Sequence, residues 1–259
     1  MDAIILVGGL GTRLRSELGP MPKAMVSIAG RPFLERLLIH LSLSNVRSIV
    51  LAVSYGRELI EGHFNDGAAF GVSIQYCREA EPLGTAGALR NALPLIQKEH
   101  VLVMNGDSFL DVNYETLLRF HENHGEELTI VGVNRADCRD FGRLQVSGRY
   151  LTSFVEKDHS DGSHGYINGG IYVFNRTLVE KILPGVVQSL ETRFFPSWLA
   201  AGNRIPAYLV SQYFIDFGTP GRLTQFRQDF AQGLVPLRGL SSERCAQPLT
   251  SNVDRKVTN

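Results

Sequence analysis

Cysteine is scarce: Cys77, Cys138 and Cys245 are the only three in 259 residues, widely spaced and without a Cys-x-x-Cys pair. That excludes a zinc ribbon and a thioredoxin-type motif, and it fits a reducing cytoplasm. Charge of one sign is not in excess either, with 26 Lys and Arg against 26 Asp and Glu. A globally basic surface for nucleic acid is therefore not expected, although a local basic site is compatible with this balance. Long apolar runs are missing. The run Ala3 to Val7 is too short for a membrane span and has no basic residues ahead of it, so neither a membrane partner nor a signal peptide is expected. Internal repeats are absent, including any hexapeptide β-helix repeat after the α/β region.

What is present is an ordinary globular composition, 44% hydrophobic and 20% charged, in a chain long enough to bury a large core. Ala3-Ile4-Ile5-Leu6-Val7 is a continuous apolar run stopped by Gly8-Gly9-Leu10-Gly11, which predicts a strand buried on both faces. Ser48 to Val53 and Val101 to Met104 read as further apolar strands, and Val72 to Tyr76 as another strand between them. Between them, helical spacing is seen at Leu34, Leu37, Leu38 and Leu41, at Arg57 to Phe64, at Thr85 to Leu93, and at Tyr114 to His124 with Asn113 as N-cap. Alternating strand and helix with short connections predicts a doubly wound, mostly parallel sheet. Ligands in such sheets sit beyond the carboxyl ends of the strands, here the loops 8–19, 77–84 and 105–111.

The second half predicts strands at Leu128 to Val133, Arg143 to Val146, Leu151 to Glu156, Ile167 to Phe174 and Ile205 to Val210. Helices are expected near Thr177–Leu183, Leu190–Ala201 and Gly221–Phe230. This describes a smaller β-rich subregion. A single domain over residues 1–232 is expected, and the Pro-, Ser- and Arg-containing tail, 233–259, reads as poorly ordered.

Five segments carry residue types suited to phosphate and metal chemistry. Gly8, Gly9 and Gly11, with Arg13 and Lys23 nearby, would let backbone N–H groups and two cations approach an anion. Neither the dinucleotide fingerprint nor the P-loop fits, because Leu14 stands where a third glycine belongs and no Gly-Lys-Ser/Thr follows. Glu81-Pro82-Leu83-Gly84-Thr85-Ala86-Gly87 opens a helix with small residues. Asn105-Gly106-Asp107 and Phe214-Ile215-Asp216 each end an apolar segment in a carboxylate, as Mg²⁺ requires when phosphates supply the other oxygens. Glu156-Lys157 ends a strand, and Asn168-Gly169-Gly170 follows a polar stretch that could form a lid. Taken singly, each segment is also what an ordinary turn, a Pro-started helix or an exposed hairpin looks like.

In this order the segments resemble the sugar-1-phosphate nucleotidylyltransferases. Gly8 to Leu14 with Pro22-Lys23, Glu81 to Gly87, Asn105 to Asp107, Glu156-Lys157, Asn168 to Gly170 and Phe214 to Pro220 all match that family's motifs, across residues 1 to about 232. The run Pro22 to Glu35 is most similar to bacterial D-glycero-D-manno-heptose 1-phosphate guanylyltransferases. Mannose 1-phosphate guanylyltransferases and N-acetylmuramate 1-phosphate uridylyltransferases share the local motifs. The resemblance implies a Rossmann-like three-layer α/β/α nucleotidyltransferase that joins a nucleoside triphosphate to a sugar 1-phosphate and releases pyrophosphate.

It also implies roles. Leu6, Gly8, Gly9, Gly11, Thr12, Glu79, Gly84, Thr85 and Asn105 would surround the nucleotide. Arg13 and Lys23 would meet its phosphates, Asp107 and Asp216 would hold Mg²⁺, and Lys157 would hold the sugar phosphate. Gly106, Glu156, Asn168 and Gly170 would face the sugar. Monomer and homodimer both stay open.

The base is the finer question. Family members using uridine or thymidine place glutamine before the small-residue loop, where this chain has Glu79. A carboxylate only accepts hydrogen bonds, which matches guanine's adjacent N1–H and N2–H₂ and leaves uracil O4 without a donor. GTP is therefore the expected nucleotide. Glu81 could take that role instead, or both acids could face solvent.

Overall fold

The structure, a computed structural model, describes residues 1–9, 11, 14, 19, 21–155 and 162–238. Thr12, Arg13, Glu156 and Lys157 lie outside the described residues, as does the tail from 239.

The first half comprises β1 (Asp2–Leu6), β2 (Ser27–Ile28), β3 (Arg31–Pro32), α1 (Phe33–Leu43), β4 (Ser48–Val53), α2 (Arg57–Phe64), β5 (Ser73–Arg78), α3 (Gly84–Ala92), β6 (His100–Asn105), β7 (Ser108–Leu110) and α4 (Tyr114–His124). The second half comprises β8 (Leu128–Arg135), β9 (Arg143–Ser147), β10 (Tyr150–Val155), β11 (Gly165–Asn175), α5 (Arg176–Glu180), α6 (Phe195–Ala200), β12 (Ala207–Val210), β13 (Phe214–Asp216) and α7 (Pro220–Ala231).

Nine strands form one sheet in the order β10-β9-β11-β6-β1-β4-β5, with β8 pairing both β11 and β12. The β5-β4-β1-β6 half is entirely parallel, as the apolar runs predict. Alternate residues of β1 enter different cores: Ala3 and Ile5 pack with α1, α2, α4 and α7, while Ile4 packs with α3, α5 and α6. A strand buried on both faces needs helices on both, which gives the three layers. Beyond β6 the pairing turns antiparallel through β11, whose ladder with β8 is interrupted between Asn168 and Tyr172. Asn168-Gly169-Gly170 sits in that irregularity. There β11 passes from pairing with β9 to pairing with β6, the kind of place where a bulge re-aims side chains.

Three details differ from the sequence expectation. Leu190–Ala201 is not one helix: Leu190–Phe194 is a π-turn, and the α-helix starts at Phe195. Pro196 has no N–H to donate to the preceding turn, which breaks the regular ladder there. The helix expected over Thr177–Leu183 stops at Glu180, ahead of Pro184-Gly185. Finally, Ser108–Leu110 and Phe214–Asp216 form a separate two-stranded antiparallel sheet, with Asp216 opposite Ser108. The start of the tail packs on the core: Val235 and Leu237 are buried, and the Arg238 N–H donates to His40 Nδ1 at 3.1 Å.

Candidate active site

The carboxyl ends of β1, β4 and β6 and the start of α3 surround a cavity of about 290 Å³. Its lining includes Leu6, Gly8, Gly9, Lys23, Glu79, Gly84, Thr85, Asn105, Gly106 and Asp107. Ten of the expected site residues are thus brought together from four separate stretches of chain.

Close backbone packing explains two of the glycines. A side chain on Gly106 would put its Cβ 2.4 Å from Val7 Cγ1 and 2.9 Å from the Leu6 carbonyl oxygen. Gly84 combines φ +73° with a would-be Cβ only 2.6 Å from the Gln188 carbonyl oxygen, so the first residue of α3 must be glycine twice over. The Gln188 carbonyl in turn accepts the Ala86 N–H at 2.9 Å, and the Gln188 N–H returns to Leu83 O at 2.8 Å. The turn opening α3 is therefore clamped to the loop 181–189.

Among the described residues, charge in the cavity comes from three side chains. Lys23 Nζ donates to Asp107 Oδ2 at 2.9 Å. Glu79, only 6% exposed, has one carboxylate oxygen, Oε1, that is buried without a hydrogen-bond partner, while the Leu83 N–H donates to its carboxylate. Burial raises the Glu79 pKa above its ordinary value, and the Leu83 bond opposes this by less. Glu81 is exposed and does not line the cavity. Of the two acids considered for the base, Glu79 is the one the fold turns inward.

Asp216 lies next door. The Phe217 N–H donates to the Asp107 carbonyl at 3.0 Å, so Asp216, at the end of β13, and Asp107, in the turn before β7, sit on neighbouring segments. Their side chains part company. Asp107 lines the cavity, whereas Asp216 is paired with Arg222 and lines a neighbouring depression of about 420 Å³ with Arg135 and Phe141. Arg222 also reaches Asp140 at 3.1 Å and stacks over the Phe141 ring at 4.2 Å. Neither Arg222 nor Asp140 stands out in the sequence.

Asn168 and Gly170 lie at the edge of this region rather than in the cavity lining. Gly170 has φ +68°, and its would-be Cβ falls 2.8 Å from Asn105 Nδ2, which ties the β11 irregularity to the end of β6. Gly11 also has positive φ, and its would-be Cβ approaches Lys23 Cγ at 2.9 Å. Thr85 lines the cavity, but its hydroxyl is used internally: it donates to Glu191 at 2.9 Å and accepts the Leu190 N–H at 2.7 Å. Glu191 and Tyr172 are residues that sequence reasoning missed. The one signal available was Ser189, a side-chain cap for the Glu191 and Thr192 N–H groups ahead of the expected helix.

A glycine-lined cavity at the carboxyl ends of parallel strands, with Lys23 and Asp107 in its lining, suits a nucleotide-handling α/β enzyme. The Nucleotidyl transferase family profile matches residues 2–233, and the chain belongs to that family.

The chain is 34% identical to the mannose-1-phosphate guanylyltransferase of Mycobacterium tuberculosis, over 95% of this chain and 69% of that protein. It is 33% identical to the D-glycero-alpha-D-manno-heptose 1-phosphate guanylyltransferase of Aneurinibacillus thermoaerophilus, over 85% of this chain and 94% of that protein. Among solved structures, HddC from Yersinia pseudotuberculosis superposes with a TM-score of 0.79 at 33% identity, covering 88% of this chain and 99% of that one. A complex of HddC with GMP-PN superposes equally well. The expected family and fold are both borne out.

Proposed function

We propose that this chain is a sugar-1-phosphate guanylyltransferase that joins GTP to D-glycero-D-manno-heptose 1-phosphate and releases pyrophosphate. The observation that carries the reading is Glu79, which lines the cavity together with Gly8, Gly9, Lys23 and Asp107 and keeps one carboxylate oxygen, Oε1, without a hydrogen-bond partner. A buried acceptor without a donor costs about 1–3 kcal/mol. Guanine supplies two adjacent donors there; uracil presents O4, a second acceptor.

In the reaction, a phosphate oxygen of the sugar 1-phosphate attacks the α-phosphorus of GTP in line. One P–O bond forms as the bond to the β-phosphate oxygen breaks, and pyrophosphate leaves with that electron pair. The side chains position and neutralise rather than form covalent bonds. The Gly8-Gly9 backbone faces the triphosphate, and Lys23 draws in the α-phosphate. Arg13 meets the leaving pyrophosphate and Lys157 the sugar phosphate, both assigned by resemblance. Glu156, Asn168 and Gly170 meet the sugar.

Asp107 and Asp216 are the residues that would hold Mg²⁺. Both are hard oxygen donors on neighbouring segments, balanced by Lys23 and by Arg222; since their side chains line separate depressions, sharing one ion requires Asp216 to leave Arg222. When bound, the ion offsets charge on the phosphates. Among the described residues no group of three or more His, Cys, Asp or Glu is placed to hold a metal, so substrate phosphates must complete the coordination.

Mannose 1-phosphate is the second reading, favoured by the Mycobacterium tuberculosis relative, which matches across 95% of this chain. The test is pyrophosphate release across a matrix of nucleoside triphosphates and sugar 1-phosphates. Release with GTP and the manno-heptose phosphate is the expected result. Release with mannose 1-phosphate alone selects the second reading, and release only with UTP discards the role given to Glu79.

A further inference from the structure

A hydrogen-bond chain runs from Asn168 to the first turn of α3. Asn168 Nδ2 donates to the Tyr172 hydroxyl oxygen at 2.7 Å, and that hydroxyl donates to Glu191 Oε1 at 3.1 Å. Glu191 Oε2 accepts from Thr85 Oγ1 at 2.9 Å and from Ser189 Oγ at 2.8 Å. At the other end, Asn168 Oδ1 accepts the Gly170 N–H at 3.0 Å.

Donor accounting gives this chain a direction. A carboxylate can only accept, so Tyr172 must direct its single proton to Glu191. The phenol oxygen is then free only to accept, and the Asn168 NH₂ must face it. Asn168 Oδ1 is left for Gly170. Every group agrees with one polarity, and the polarity originates in a charge two side chains from Asn168. Tyr172 is fully buried, and burial together with the Glu191 charge keeps its phenol protonated far above neutral pH.

We infer that Glu191 is a positioning residue: through Tyr172 it fixes which way the Asn168 amide presents its donor and acceptor to the sugar. This rests on the proposed reading, in which Asn168 meets sugar hydroxyls. It assigns specificity to a residue outside every motif of the sequence.

A glutamine at 191 separates charge from shape. Its amide oxygen can keep the Thr85 and Ser189 hydroxyls. Its NH₂ then points at Tyr172, whose proton loses its acceptor. Rotating Asn168 to receive that proton would set its NH₂ against the Gly170 N–H. Tyr172→Phe cuts the chain at one hydroxyl and leaves Glu191 bound to Thr85.

The experiment measures KM for D-glycero-D-manno-heptose 1-phosphate and for GTP, with mannose 1-phosphate in parallel. The variants are Glu191→Gln, Tyr172→Phe, Asn168→Ala and the double variant Asn168→Ala/Glu191→Gln. Each of the first three should raise the sugar-phosphate KM by roughly tenfold, as loss of one oriented hydrogen bond implies, with GTP KM changed by less than about twofold. In the Asn168→Ala background, Glu191→Gln should add less than about twofold, because the pair acts as a unit.

If Asn168→Ala raises the sugar KM while Glu191→Gln and Tyr172→Phe do not, the positioning role is overturned and the reading of the site survives. Additive losses in the double variant would also overturn it. An unchanged sugar KM in Asn168→Ala removes the reading of the site itself, and the inference with it.

Discussion

Lys23 and Asp107 meet at 2.9 Å across 84 residues of chain, joining the segment after the glycine-rich turn to the end of β6. In the proposed reaction one of them serves phosphate and the other metal, so their mutual pairing neutralises both until substrate arrives. The pair is partly solvated, with side chains 20% and 35% exposed.

That exposure separates function from stability. Asp107→Asn should abolish Mg²⁺-dependent pyrophosphate release. A thermal double-mutant cycle with Lys23→Met should give a coupling of no more than about 1 kcal/mol, the range for solvated ion pairs. A coupling several times larger would make the pair a structural element instead.

Glu79→Gln tests base selection. The variant should lose preference for GTP over UTP in kcat/KM by severalfold to about a hundredfold, the worth of one unpaired polar contact. An unchanged ratio would remove Glu79 from base recognition.

The same residue predicts a pH effect on stability. A carboxyl whose folded pKa is raised binds its proton more tightly in the native state, so the native state loses stability as pH rises from the unfolded to the folded pKa. Glu79→Gln should therefore raise the Tm of the free enzyme at neutral pH. The gain should vanish as pH falls below the ordinary carboxylate range, a trend that thermal denaturation between pH 4 and pH 8 would read.

His40 titrates in the opposite sense. Burial, and then the charge of Arg238, lower its pKa from 6.5 to about 4, and its Nδ1 accepts the Arg238 N–H. A histidine kept neutral in the fold gives stability that is complete above its unfolded pKa and is lost as pH falls through about 4. The Tm of His40→Gln should decline less than wild type between pH 6.5 and 4.

Gly84→Ala should destabilise by roughly 1–3 kcal/mol, since both its positive φ and the Gln188 carbonyl oppose a Cβ. The GTP KM should rise as well, because relief requires the first turn of α3 to move off the loop 181–189. Chemical denaturation together with initial rates would check both.

Much of this protein was legible in one dimension. Ala3 to Val7 and Ile49 to Val53 are apolar at every position, so burial on both faces and a parallel sheet followed directly. Asn113 caps α4 as its side chain predicts, accepting the Thr116 N–H at 2.9 Å. The motif order was enough to identify the family, and among the described residues Gly8-Gly9 follows β1, Gly84 opens α3, and Asn105-Gly106-Asp107 spans the end of β6.

Other features came only with the tertiary structure. Strands β7 and β13, three residues each, are too short to carry a period, and only their mutual pairing makes them strands and sets Asp216 beside Asp107. Whether Glu79 or Glu81 turns inward depends on where β5 ends against the cavity, not on their types. The line Asn168–Tyr172–Glu191–Thr85 joins side chains as many as 106 residues apart. Sequence fixes the hydrophobic period and the turn chemistry because these act locally. Which distant donors and acceptors satisfy one another is decided by burial, and burial exists only once the sheet has closed over them.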